Sequence, residues 1–188
     1  MSGPGITPSQ TVGPFFAIGL TWDDGPFAAP EGTEDGFWIR GAIYDGNGDP
    51  IPDAVVETWQ ADGDGRFAHP DDPRGAIDWG EFRGLGRSGT DAEGRYAIFT
   101  IKPGPVPGPD GAMQAPHIDV TLMSRGMLAR VVTRIYFPEE EAANAADPVL
   151  ASLPATAASE TLIAKKTDDG YSFDVHLQGE NETVFFDI

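Results

Sequence analysis

Cysteine is absent from this 188-residue chain, and basic residues are scarce. The lack of cysteine excludes disulfide bonds, thiolate metal sites and a cysteine nucleophile. Twelve lysine and arginine residues stand against 30 aspartate and glutamate residues, which gives a formal net charge of −18. Because nucleic-acid binding depends on basic side chains that contact phosphates, this charge argues against nucleic acid as a partner, and likewise against an anionic membrane surface.

Long apolar runs are also missing from the sequence. No run approaches the roughly 18 residues that a membrane-spanning helix requires. The first ten residues, MSGPGITPSQ, do not have the basic stretch followed by an apolar stretch that is typical of a secretory signal. We therefore expect a cytoplasmic protein.

Glycine and proline are plentiful, at 24 and 17 residues, but they show no collagen-like period. With 40% hydrophobic residues, the chain can form the core of a single domain that spans residues 1–188. Short segments rich in β-branched and aromatic residues, bounded by turn residues, predict an all-β protein. The predicted strands comprise residues 37–44, 54–60, 95–101, 117–123, 128–137, 161–165, 171–178 and 183–187.

Two segments at the periphery are predicted to differ from the strands. Residues 1–30 are irregular but carry apolar side chains such as Phe15 and Trp22, so we expect an extended N-terminal arm that packs on another surface. Residues 139–146 are rich in glutamate and alanine and are followed by Pro148, which predicts one short peripheral helix.

Residues 62–89 lack a regular period but retain Phe67, Trp79 and Phe82, which predicts a long ordered loop of the kind that carries function. Within this loop, residues 84–89 match the G-x-G-x-x-G pattern of dinucleotide-binding sites. That pattern has meaning only between a strand and a long helix, whereas a turn and then a predicted strand follow here. We interpret the match as coincidence.

Three histidines, His69, His117 and His176, are the imidazoles from which a metal or acid–base site could be built. His117 and Asp119 lie two residues apart on a predicted strand, so their side chains project from the same face. They could ligate a metal together or form a simple hydrogen-bonded pair. Without a third or fourth ligand in view, the hydrogen-bonded pair is the favoured interpretation.

Several sequence blocks, in order along the chain, resemble the intradiol ring-cleavage dioxygenases. The similarity extends from residue 7 to residue 188. The blocks are TPSQTVGPF at 7–15, YDGNG at 44–48, VETWQAD at 56–62, TIKPGP at 100–105, APHI at 115–118, TRIYF at 133–137 and GENET at 179–183. The resemblance implies a sandwich of two mixed β-sheets, in agreement with the strand pattern, and the cleavage of a catechol ring by O₂.

The resemblance also implies a ferric iron held by two tyrosinates and two histidines, and this chain departs from that ligand set. Phe67 and Val106 stand at the two tyrosine positions, and His117-Ile118-Asp119 keeps one histidine but has Asp119 at the other position. Phenylalanine and valine have no donor atom. We therefore expect no metal in this chain, and Fe(III) held instead by a homologous beta subunit in a hetero-oligomer of several such pairs.

The resemblance further implies that Thr11, Gly13, Pro14 and Arg125 contact the substrate in the partner's pocket. A physical argument supports Arg125 independently, because an anionic aromatic acid approaching a chain of charge −18 requires a local cation, and a guanidinium matches a carboxylate. The alternative is a solvated arginine in a turn between two strands.

Two other classes of protein remain open from the residues. Turns at 90–96 and 101–104 also occur in transthyretin-like domains, which would make the chain a β-sandwich binding or structural module without catalysis. The third possibility is a self-sufficient metalloenzyme that uses His117, Asp119 and His69. The two missing tyrosines weigh against this possibility.

Overall fold

Two packed β-sheets form the body of the protein in the computed structural model, which describes residues 5–75, 82–108, 110–154 and 156–187. The strands in these residues are β1 (Phe37–Tyr44), β2 (Val55–Trp59), β3 (Leu85–Gly89), β4 (Arg95–Thr100), β5 (Val106–Pro107), β6 (Met113–Gln114), β7 (His117–Met123), β8 (Val131–Tyr136), β9 (Lys165–Thr167), β10 (Gly170–Ser172) and β11 (Val175–His176). The helices are α1 (Phe15–Gly19), α2 (Glu141–Ala146), α3 (Pro148–Ala151) and α4 (Thr156–Glu160).

The first sheet is built around β1. Strand β4 pairs antiparallel with β1, β10 and β11 pair parallel with it, and β9 pairs antiparallel with β10. The second sheet has the order β3-β2-β7-β8, and each of these pairs is antiparallel. The predicted sandwich is therefore confirmed. The first sheet is mixed because it contains both parallel and antiparallel pairs. The strands of the second sheet are antiparallel, and a parallel bridge between Tyr136 and Ile163 is added at its edge.

The alternation of side chains along β7 decides which residues enter the core. Ile118, Val120 and Leu122 are almost fully buried in the main hydrophobic cluster between the sheets. Burial of each such side chain contributes about 1.5–3 kcal/mol. His117 and Asp119 consequently lie on the opposite face of the same strand.

The predicted bounds of β1 and β7 match the structure, but β3 was predicted as loop. The reason is steric. A Cβ atom at Gly86 would lie 2.7 Å from Thr58 Oγ1 and 2.8 Å from Ile98 Cγ2, so this position requires a glycine. Because glycine is uncommon inside strands, the sequence of β3 does not resemble that of a strand. The predicted strand at 183–187 is reduced to one bridge, between Phe186 and Val132.

The prediction of one short helix was incomplete. The predicted helix at 139–146 is present as α2, but α1, α3 and α4 also occur in the described residues. Helix α3 begins directly after Asp147, whose side chain accepts hydrogen bonds from Val149 N and Leu150 N, with Pro148 in its first turn. Among the described residues, no helix has the length and apolar character needed to cross a bilayer.

The N-terminal arm divides into two parts. Its inner part packs on β4, where Phe99 N donates to Pro26 O and Ala28 N donates to Phe99 O, at 2.8 and 2.9 Å. Its outer part is largely exposed, with Phe15 79% and Ile18 76% accessible. In the predicted loop 62–89, Phe82 packs in a small buried cluster, whereas Trp79 lies outside the described residues.

Candidate functional site

The turn between β7 and β8 carries Arg125 and binds the N-terminal arm. Gly126 has a φ of 85°, a left-handed conformation that favours glycine, and Met127 N donates to Ser124 O to close the turn. Val12 of the arm pairs with this turn through two backbone hydrogen bonds of 3.2 Å: Val12 N donates to Met127 O, and Gly126 N donates to Val12 O. The arm residues and the turn arginine thus lie side by side.

Thr11, Gly13 and Pro14 flank this backbone contact and are exposed. A Cβ atom at Gly13 would meet no other atom within 4 Å, so nothing within the described residues requires a glycine at this position. The Arg125 side chain is 59% exposed and forms an ion pair with Asp53, with 3.0 Å between Nε and Oδ2. The structure therefore brings together the four residues proposed to contact substrate.

The two tyrosine-equivalent positions lie on the wall of a cavity of about 890 Å³. Phe67 stacks on Trp59 with a ring-centroid distance of 6.0 Å and an interplanar angle of 13°. Val106, at the start of β5, lines the same cavity. Both side chains are hydrocarbon and make apolar contacts, so neither supplies a ligand atom.

His117 and Asp119 do not form an isolated pair. The His117 Nδ1 atom lies 2.7 Å from Ala115 O, and Nε2 lies 4.0 Å from Asp119 Oδ1. Asp119 Oδ1 accepts a hydrogen bond of 2.8 Å from Arg134 Nε, and Arg134 Nη1 donates to Gln114 Oε1 at 2.6 Å. The Arg134 guanidinium therefore supplies the positive charge beside these two residues.

Burial, followed by the nearby Arg134 guanidinium, lowers the pKa of His117 below its ordinary value, although Asp119 opposes the shift. His117 is consequently neutral at pH 7. Because a carbonyl oxygen only accepts hydrogen bonds, the contact with Ala115 O assigns the proton to Nδ1. The 4.0 Å approach of His117 to Asp119 is thus not an ion pair at neutral pH.

Tyr136 packs against His117, with a ring-centroid distance of 5.6 Å, and continues the network. Its hydroxyl donates to Asp147 Oδ1 at 3.3 Å, and the buried Asp147 Oδ2 accepts from Ala115 N at 2.8 Å. Burial raises the pKa of Tyr136, so this phenol is protonated and does not replace the missing tyrosinates.

These residues do not fit a ferric iron site. Phe67 and Val106, at two of the four ligand-equivalent positions, have no donor atom. At a third position, Asp119 accepts a hydrogen bond from Arg134, whose positive charge repels a trivalent cation. His69 lines the same cavity as Phe67 and Val106, but its Nδ1 atom accepts a hydrogen bond of 3.2 Å from Asp71 N. Within the described ranges, no cluster of three or more His, Asp and Glu side chains is arranged to hold a metal ion.

Sequence reasoning missed Arg134, Gln114 and Asp147. A signal for Arg134 was present, since it belongs to the block at 133–137, and an antiparallel partner for His117 and Asp119 must come from a neighbouring strand. Register could not be read from sequence, and it is the register of β7 with β8 that places Arg134 opposite Asp119.

The chain matches the family model described as dioxygenase over residues 11–179. It is 42% identical to the alpha chain of protocatechuate 3,4-dioxygenase from Burkholderia cepacia, over 97% of this chain and 97% of that protein. It is 38% identical to the corresponding alpha chain from Pseudomonas putida over similar coverage, 97% and 96%. The chain therefore belongs to the intradiol ring-cleavage dioxygenases, and the two relatives named above, which it matches over nearly their full length, are alpha chains.

Two further comparisons concern a beta chain and the fold. The chain is 37% identical to the beta chain of protocatechuate 3,4-dioxygenase from Burkholderia cepacia, over 77% of this chain and 65% of that protein. Among solved structures, catechol 1,2-dioxygenase from Acinetobacter radioresistens matches 82% of this chain and 57% of its own length with a TM-score of 0.61 at 21% identity. At that identity, the structural match supports the fold alone.

Proposed function

We propose that this chain is the alpha subunit of a protocatechuate 3,4-dioxygenase. In this proposal, a homologous beta subunit holds Fe(III), and the assembled enzyme cleaves protocatechuate with O₂ to 3-carboxy-cis,cis-muconate. The alpha chain supplies Thr11, Gly13, Pro14 and Arg125 to the substrate pocket and contributes no iron ligand.

The observation that carries the proposal is the separation along β7 between His117, a ligand-equivalent position, and Arg125. His117 lies at the start of β7, while Arg125 lies in the turn beyond its end. At about 3.3 Å per residue, these positions are roughly 25 Å apart. Arg125 therefore cannot serve the ligand-equivalent positions of its own chain, and a pocket that uses both kinds of residue requires a second chain.

The exposed apolar side chains of the arm support a protein partner at the same place. Phe15, Ile18 and Leu128 are 79%, 76% and 69% exposed and belong to the arm and to the segment after the Arg125 turn. Apolar side chains concentrated in this way mark an interaction surface. A stand-alone transthyretin-like module would leave both this surface and Arg125 without a role.

Protocatechuate carries a carboxylate, and the chain as a whole repels anions because of its charge of −18. Arg125 supplies the local positive charge that such a substrate requires, and its planar fork suits a carboxylate. Together with the exposed arm, it completes a wall of the partner's pocket. The cytoplasmic location expected from the sequence stays a prediction within this proposal.

The proposal is tested by purifying the chain alone, the beta subunit alone and the two together. We expect the isolated alpha chain to hold well under one iron per chain and to turn over no protocatechuate. The assembled pair should carry iron, show visible tyrosinate-to-iron absorption and be active. Tightly bound iron near one per isolated alpha chain, or an assembled pair without activity, would contradict the proposal.

A further inference from the structure

Asp53, in the turn that precedes β2, lies across from Arg125. Strand β2 pairs antiparallel with β7, with Val55 opposite Met123. Continuing this register by two residues places Asp53 opposite Arg125, and the two side chains form an ion pair with 3.0 Å between Asp53 Oδ2 and Arg125 Nε. Opposite charges in this cross-strand relation attract each other.

The backbone around Asp53 is held in place by Thr90. The Thr90 hydroxyl accepts a hydrogen bond from Ala54 N at 2.9 Å and donates to Ile51 O at 2.7 Å. The Thr90 amide also donates to Ala54 O at 3.0 Å. Asp53 therefore stands on a turn that is fixed on both sides, whereas Arg125 belongs to an exposed turn.

The Asp53 carboxylate has little compensation other than Arg125. Its side chain is 17% exposed, and its Oδ1 atom is buried and has no hydrogen-bond partner in the described part of the chain. A largely buried carboxylate is costly unless a positive group accompanies it. The carboxylate consequently holds the Arg125 side chain close to the turn.

The ion pair leaves the end of the guanidinium available. Asp53 faces Nε of Arg125, and no hydrogen bond to Nη1 or Nη2 of Arg125 is found within the described ranges. These two nitrogens form the end of a planar fork that can bind both oxygens of a carboxylate. Asp53 thus engages one side of the guanidinium and leaves the two terminal nitrogens without a partner among the described residues.

We propose that Asp53 is a positioning residue that orients the Arg125 guanidinium for the carboxylate of the aromatic acid in the assembled enzyme. This inference rests on the proposed function. Removing the negative charge of Asp53 would by electrostatics alone strengthen the binding of an anionic substrate. The positioning role predicts the opposite change in affinity. If orientation dominates, the same change weakens binding instead.

Immobilising a flexible side chain at an interface costs an amount that corresponds to about a 2- to 10-fold change in affinity. We therefore expect Asp53→Asn, in the assembled enzyme, to lower kcat/KM for protocatechuate by about 2- to 10-fold, mainly through KM. Catechol, which lacks the carboxylate, should be affected less than 2-fold. Asp53→Glu keeps the carboxylate and should retain most of the activity lost in Asp53→Asn.

A double-mutant cycle separates positioning from a general structural effect. In an Arg125→Ala background, Asp53→Asn should have no further effect on protocatechuate kinetics. Calorimetric titration with 4-hydroxybenzoate and with phenol gives a second readout without turnover, and the acid alone should bind more weakly to Asp53→Asn. Asp169→Asn, which removes an exposed ion pair with Arg40 on the first sheet, is the matched control and should leave both readouts unchanged.

The outcomes distinguish this inference from the proposed function. Arg125→Ala with reduced kcat/KM but Asp53→Asn with unchanged or improved kcat/KM would overturn the positioning role alone. An equal loss in Asp53→Asn and Asp53→Glu, or an additive effect in the cycle, would also overturn it. Arg125→Ala with unchanged kinetics would overturn both the positioning role and the proposed substrate contact.

Discussion

The two ends of β7 use the same kinds of residue in opposite ways. At the first end, the polar groups of His117, Asp119 and Arg134 are bound to one another or to neighbouring groups of the same chain. At the second end, Nη1 and Nη2 of Arg125 have no hydrogen-bond partner among the residues that the structure describes, and the adjacent arm exposes Phe15 and Ile18. The two ends thus differ in how far their charged groups are paired within the described part of the chain.

The first end contains a cation of its own. Phe67 and Val106 have no donor atoms, and the positive charge beside His117 and Asp119 comes from a side chain. Arg134 supplies a fixed positive charge that pairs with Asp119 at 2.8 Å. The guanidinium thus stabilises this group of residues from within the chain.

Removing the arm gives the largest expected effect and tests the second end. Deleting residues 1–16 removes the Val12 pairing with the turn and the exposed Phe15 side chain. Burial of one aromatic side chain at an interface contributes about 3 kcal/mol, so the Kd for the beta subunit should rise by roughly 100-fold. Light scattering and turnover of the mixture measure assembly and activity.

A shorter deletion, of residues 1–10, serves as the control for the arm because it keeps Thr11, Val12 and Phe15. It should assemble nearly as well as the full chain. If the chain without residues 1–16 assembled and reacted as the full chain does, the second end would not be the partner surface.

Arg125→Ala in the assembled enzyme should remove a charge-assisted interaction worth about 1.5–3 kcal/mol, or roughly 10- to 150-fold in kcat/KM for protocatechuate. Iron content and assembly should be retained, and a catechol without the carboxylate should lose much less. Arg95→Ala, at an exposed position on β4, is the matched control. Unchanged protocatechuate kinetics in Arg125→Ala would make Arg125 an ordinary solvated arginine.

The sequence predicted the parts of this comparison that depend on residue identity. The strands β1 and β7, with alternating apolar side chains, were predicted with the correct bounds, and the missing donors at Phe67 and Val106 could be read directly. The blocks shared with the family identified the fold because several of them occur in order. Turn glycines such as Gly126 marked the turn that carries Arg125.

Features that depend on pairing between distant residues could not be predicted. Strand β3 was missed because crowding by Thr58 and Ile98 selects Gly86 against the usual strand preferences. The ion pair of Asp53 with Arg125 depends on the register between β2 and β7. The ion pair of Asp119 with Arg134 depends on the register between β7 and β8. Register follows from the packed core and is not written in either strand alone.

Arg134→Met tests the first end and should affect stability but not catalysis. It removes charge-assisted hydrogen bonds to Asp119 and Gln114, so the free energy of unfolding of the isolated chain should fall by about 1.5–3 kcal/mol. Arg134→Lys keeps the charge but not the fork and should give an intermediate loss. Urea unfolding measures this effect, and a loss of protocatechuate turnover with intact assembly would contradict the proposed separation of the two ends.

The smallest expected effect is the pH dependence contributed by His117. Its pKa is lowered in the folded chain from an ordinary value of 6.5, because the buried ring lies beside Arg134. The unfolded chain therefore binds a proton at higher pH than the folded chain does. This contribution to stability is fully present above pH 6.5 and is lost as the pH falls from 6.5 through the lowered pKa of the folded state.

The difference between the wild-type chain and His117→Asn isolates this contribution, since Asn retains a donor for Ala115 O. Between pH 6.5 and 5.5, the wild type should lose up to about 1 kcal/mol more of its free energy of unfolding than the variant, because one proton per pH unit corresponds to 1.36 kcal/mol. Asp119, Asp147 and Arg134 face the same ring and remain in both proteins. His69→Gln, at a half-exposed position, is the control. If the free energy of unfolding changed equally with pH in the wild type and in His117→Asn, the pKa of His117 would not be lowered in the folded chain. The buried ring and Arg134 would then not disfavour a positive charge at this position.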